Sequence, residues 1–115
     1  MFDLLEELNR KVQQLDASVR QLRKTGTEAA QKEHDYKVLL SQEVLRLRDE
    51  KMAVGLINLI IYGLPAIARA RLERDIAAVV YEANKEAINS LKLQAKILNE
   101  QISREWGNPK GGTGS

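Results

Sequence analysis

The chain contains no cysteine, which excludes disulfides, thiolate chemistry and the sulfur ligands of a structural zinc site. Histidine occurs once, at His34, between Glu33 and Asp35. A solvated surface position is expected there. A metal centre would have to be built from that imidazole and scattered carboxylates, so no metal is expected. Prolines are two, Pro65 and Pro109, and aromatic residues make up 4%. The aromatics (Phe2, Tyr36, Tyr62, Tyr81 and Trp106) are scattered, which argues against a platform on which single-stranded bases stack. No uncharged run reaches the roughly 20 apolar residues of a membrane-spanning helix. The longest ends at Arg69 and contains Gly63 and Pro65, so no membrane partner is expected. Phosphate-binding glycine loops, dinucleotide fingerprints, zinc-protease histidine pairs and calcium loops are all missing. Ser18, Ser41, Ser90 and Ser103 fall inside helical patterns, with only His34 as a base. No catalytic residue, no cofactor and no enzymatic activity are expected.

What the chain does have is charge, at 30% of residues, and an abundance of Leu, Ala, Glu, Lys, Arg and Gln. That balance suits long helices or coiled coil rather than sheet. Its 115 residues suffice for one domain. The formal net charge of +2 is too small to argue for nucleic acid by itself. Met1 runs into Leu4-Leu5-Glu6-Glu7 without a charged-then-apolar leader, so a cytoplasmic protein is the expectation.

The chain turns around one uncharged stretch, Met52 to Pro65, punctuated by Gly55, Gly63 and Pro65. Leu56 to Tyr62, then Gly63, then Pro65 to Arg74 loosely fits a helix-turn-helix. However, the would-be recognition helix continues unbroken to Trp106. The favoured reading is a short apolar helix at the apex of a hairpin. Leu56, Ile57, Ile60 and Ile61 then form either an apex core or a docking patch, and burial is the expectation.

Before the apex, a helix is predicted over residues 3–50, with Asp3 and Glu6 at capping-box spacing. Leu5, Leu8, Val12, Leu15, Val19 and Leu22 step alternately by three and four, an a/d heptad seam that favours a left-handed supercoil. Gly26 falls where the next seam residue belongs. A mid-helix glycine costs roughly 1 kcal/mol against alanine, so a bend or the close approach of another backbone is expected. Ala29, Tyr36, Leu40, Val44 and Leu47 restore the stripe.

After the apex, Pro65 can open a second helix at no cost in hydrogen bonds. Leu72, Ile76, Val80, Ala83, Ala87, Leu91, Ala95, Leu98 and Ile102 form one face over residues 65–106. Its eleven-residue recurrences imply a nearly straight amphipathic helix. Gly107 and Pro109 predict its end, with Trp106 as a packing anchor and residues 107–115 as a disordered tail or linker. Residues 1–106 thus read as a single all-α domain, a long antiparallel coiled-coil-like hairpin. Folded about Asn58, it places Leu40 near Ile76 and Leu22 near Ala95, and it leaves the first heptad needing another chain. A homo-oligomeric helical bundle, a dimer or higher, is predicted.

Arg46, Arg48 and Lys51 precede the apex, and Arg69, Arg71 and Arg74 follow it, offset by Asp49, Glu50, Glu73 and Asp75. A second basic stretch holds Arg10, Lys11, Arg20, Arg23 and Lys24 against Asp16. Solvated, ion-paired helix surface is the first reading of both, and phosphate contact is the alternative. The run Tyr36 to Glu50, Leu72-Glu73-Arg74-Asp75 leading to Leu91-Lys92-Leu93, and Arg104-Glu105-Trp106 together resemble small helical coiled-coil proteins encoded by temperate bacteriophages and prophages. The resemblance covers roughly residues 36 to 106. It implies a viral protein in a bacterial host cytoplasm, near DNA replication, recombination or host takeover, and it supplies no site residues. The functional expectation is a self-associating protein–protein interaction module acting on a host or phage DNA-processing protein. Non-specific nucleic-acid binding is the alternative.

Overall fold

The computed structural model describes residues 2–114, with side chains for residues 3–107. Helix α1 spans Phe2–Asp49, α2 spans Val54–Ile60 and runs into a 3₁₀ turn over Ile61–Gly63, and α3 spans Pro65–Gly114. This is the expected all-α hairpin, with a short apolar helix at its apex.

Nothing inside α1 opposes a helix except Gly26. Its solvent side is laced with ion pairs one turn apart, among them Glu7–Lys11, Asp16–Arg20, Glu33–Lys37 and Glu43–Arg46. The helix ends in a Schellman motif. Lys51 adopts a left-handed φ of 67°. Its N–H donates to the Arg48 carbonyl at 2.9 Å, and the Met52 N–H donates to the Leu47 carbonyl at 3.1 Å. Met52 packs against the cluster that holds Leu47, the apolar contact that accompanies this motif. The chain reversal therefore falls on Lys51. Gly55 and Gly63, which punctuate the sequence, both avoid positive φ.

Leu64 is extended, with φ −64° and ψ 133°, as a residue preceding proline prefers. Pro65 then opens α3, and the Ala68 N–H donates to the Leu64 carbonyl at 2.8 Å. At its other end α3 runs past the stop expected at Gly107 and continues to Gly114. Gly107 does not take the left-handed conformation that a helix-ending glycine uses. The side chains of the expected tail beyond Gly107 lie outside the described residues.

Two compact units compose the chain. In the unit Lys24–Glu82, the core is Tyr36, Leu47, Ile57, Ile61 and Ile67, with Leu39, Leu40, Val44, Met52, Ile60, Leu64 and Ala70 packed against it. Gly26 is explained here. A Cβ built on it would lie 3.1 Å from Cε1 of Tyr81, so an aromatic ring, rather than a backbone, occupies the space, and the helix continues through Gly26 without a break. Lys32 Nζ donates to Glu73 Oε1 at 3.1 Å. The Arg74 guanidinium sits 4.5 Å from the centroid of the Tyr36 ring. These pairs centre on the turn after α1 rather than on Asn58. The reason is the sharp reversal at Lys51, which assigns α2 to the returning arm.

In the unit Met1–Arg23 with Ala83–Ser115, Ile88 is buried. Leu4, Leu8, Leu15 and Leu22 of α1 and Leu91, Ala95, Leu98 and Ile102 of α3 are half-buried. Asn84 Nδ2 donates to the Ser18 carbonyl at 3.0 Å, so the expected partnership of Leu22 with Ala95 gives way to an earlier register. The predicted face of α3 is corrected in part as well. Leu72, Ile76 and Val80 are exposed, and Ala77 and Ile88 are buried instead. A stripe repeating every eleven residues precesses off a contact that repeats every seven. Trp106, expected as an anchor, is 61% exposed.

Candidate interaction surfaces

The six seam residues split into two sets. Leu8, Leu15 and Leu22 are half-buried, while Leu5, Val12 and Val19 remain 40%, 47% and 49% exposed. The half-buried set alternates along α1 with Leu4, Lys11, Ser18 and Thr25, which are half-buried too. The inward stripe thus lies one residue off the predicted seam at every second position. Lys11 is tolerated there because it reaches Glu7 at 3.6 Å, and Ser18 because its carbonyl accepts from Asn84. The consequence is a row of three apolar side chains at seven-residue spacing that the described residues leave about half exposed.

The apex splits by helical phase. Ile57 and Ile61, four residues apart, are buried, and Ile60 is half-buried. Leu56 is exposed, and Leu59 and Tyr62 extend its outward row at three-residue steps, with Leu59 82% exposed. Burial was expected of all four named residues and holds for the inner ones; Leu56 belongs to the outer face. Leu59 and Tyr62 escaped the sequence reading because composition alone does not phase a seven-residue helix.

The six basic residues around the apex separate by what they touch. Arg46 is held by Glu43 at 2.8 and 3.0 Å and by Glu50 at 2.6 Å. Arg74 is held by Asp75 at 2.8 and 3.0 Å and lies over Tyr36. Hydrogen bonding to Glu43 and to Asp75 raises both guanidinium pKa values above their already high ordinary value, and bonding to Glu73 does the same for Lys32. Arg71 stacks over the Tyr62 ring at 5.4 Å. Arg48, Lys51, Arg69 and Arg71 form no ion pair among the described residues. Of the acidic residues from Glu43 to Asp75, Asp49 alone is outside an ion pair. The sequence gathers six cations at this end, and the geometry leaves four of them unneutralised.

A groove of about 260 Å³, which no sequence motif marks, runs between Thr25, Glu28 and Lys32 of α1 and Glu73, Ile76 and Val80 of α3. Its walls are mostly apolar, with the Lys32–Glu73 pair at one end, and no imidazole or thiol lines it. His34 is exposed. Among the described residues no group of three His, Cys, Asp or Glu side chains could hold a metal ion. No single helix among them is long and apolar enough to cross a membrane. No protein-family model, curated protein or solved structure matches the chain significantly.

Proposed function

We propose that this chain is a self-associating helical interaction module whose first partner is a second copy of itself. The observation that carries the reading is the exposed row Leu5, Val12 and Val19 on α1. Its spacing is that of a coiled-coil stripe, and it is left over after the hairpin has taken Leu8, Leu15 and Leu22. A stripe of this kind is self-complementary. Two copies running antiparallel about Val12 set each Leu5 against the partner's Val19 and close as an isologous pair. The resemblance of residues 36 to 106 to phage-encoded helical proteins is the ground for proposing a host or phage DNA-processing protein as a further partner, met in a bacterial cytoplasm.

The test is mass in solution. Light scattering at micromolar concentration is expected to give at least twice the 13.0 kDa of one chain. A value of 13.0 kDa removes the proposal. Val12→Asp is the sharper variant, because it places a charge in the outer row alone and is expected to give a folded monomer. Leu15→Asp strikes the hairpin contact as well and is expected to unfold the chain.

A further inference from the structure

We infer that the apex is a docking site for an anionic lipid surface, entered by Leu56, Leu59 and Tyr62. The site lies wholly within the unit Lys24–Glu82 and is separate from the row Leu5, Val12 and Val19. Helix α2 and the 3₁₀ turn form a two-faced element. Ile57, Ile61 and Leu64 point into the cluster with Leu47 and Ile67, and Leu56, Leu59 and Tyr62 point away from it. Val54 is exposed as well. Cβ atoms built on Gly55 and Gly63 would meet nothing within 4 Å, so among the described residues nothing packs against the helix at these two positions. Leucine at 82% exposure is the most water-exposed of the large apolar side chains described, and it stands at the hairpin's end.

Charge selects the partner. Arg48 and Lys51 on one side of the apolar tip, and Arg69 and Arg71 on the other, have no ion pair among the described residues, and only Asp49 opposes them. A short apolar wedge flanked by unneutralised cations matches a surface with acyl chains beneath negative headgroups. The wedge reaches into the headgroup–acyl boundary, and the cations remain at phosphate level. Tyr62 suits that boundary, with an apolar ring and a polar tip, and Arg71 lies over its ring at 5.4 Å. A nucleic-acid duplex would engage the same cations but press Leu56 and Leu59 against charged phosphate oxygens, which repels the apolar half of the site. The wedge is short enough to enter only the headgroup–acyl boundary, and no single described helix is long and apolar enough to cross a bilayer.

The experiment is co-sedimentation of the full chain with phosphatidylcholine vesicles, with and without about 30% phosphatidylserine, at low salt, where such attraction is strong. A duplex DNA arm runs in parallel, and Leu59→Asp and Arg48→Glu/Arg69→Glu are compared with the native chain. All three positions are at the surface, and circular dichroism confirms that each variant folds. Expected is binding to the anionic vesicles only, weakened by about tenfold or more in each variant. No sedimentation of the native chain with anionic vesicles overturns the proposal. Equal binding of Leu59→Asp also overturns it, because the wedge would then be idle. Tighter binding to duplex DNA that survives Leu59→Asp assigns the cations to nucleic acid and likewise overturns it.

Discussion

Two single residues decide more of this fold than their types suggest. Lys51 carries the left-handed turn of the Schellman motif, a conformation costing roughly 1–2 kcal/mol for a residue with a Cβ. It persists because two backbone hydrogen bonds and the packing of half-buried Met52 against the core fix the turn. Lys51→Gly relieves the Cβ penalty, gives up a cation near the helix C-terminus worth about 0.3–1 kcal/mol, and loosens the unfolded chain. The expected outcome is a net gain of about 0.5 kcal/mol, read as a higher denaturant midpoint at unchanged slope. Gly26 is the reverse case. By heptad pattern it is a gap that leucine should fill and stabilise. In the structure the gap already belongs to Tyr81, whose ring atom lies 3.1 Å from the missing Cβ. Gly26→Leu is therefore expected to destabilise by about 1–3 kcal/mol, as overpacking does. An increase in melting temperature would show that the pattern, and not the ring, describes this position.

At the level of elements, the apex was the most legible part of the chain and α3 the least. Val54–Gly63 falls inside the uncharged stretch, and Pro65 opens the next helix, because charge and proline act locally and can be read without knowing what packs where. The inner and outer faces of α2 could not be read that way. Leu56, Ile57, Leu59, Ile60 and Ile61 are all apolar, and only the position of Leu47 and Ile67 tells which of them face inward. On α3 an eleven-residue repeat promised one straight apolar face. The hairpin contact recurs every seven residues, so the face drifts out and leaves Leu72, Ile76 and Val80 in water. The apex prediction follows from the phase. Ile61→Ala removes a side chain 3% exposed and is expected to cost about 2–5 kcal/mol. Leu59→Ala on the opposite face should stay within about 0.5 kcal/mol. Similar losses for the two, measured by urea unfolding, would mean that the element has no inner face.

For the whole molecule the governing fact is how little is buried. Seven of the described residues are buried, five of them in the cluster around the apex and only Ile88 in the unit that joins the two chain ends. Among the described residues no fully buried polar side chain anchors that second unit, and its α1 segment contributes half-buried leucines at every second seam position while Leu5, Val12 and Val19 stay outside. Small cores of this kind usually draw on oligomerisation for stability. If a second copy covers the outer row, folding and association are linked, and the melting temperature must depend on concentration, since a partner that binds only the folded chain stabilises it by mass action. Raising the protein from micromolar to hundreds of micromolar is expected to lift the melting temperature by several degrees, about what one or two kcal/mol does in a domain of this size. Val12→Asp should melt at one temperature across the same range, at or below the lowest value of the native chain. The comparison separates the row from the apex, because Leu59→Asp leaves α1 untouched and should retain the full concentration dependence. A native chain whose melting temperature is the same at both concentrations would mean that the hairpin is stable alone and that Leu5, Val12 and Val19 are uncovered in solution.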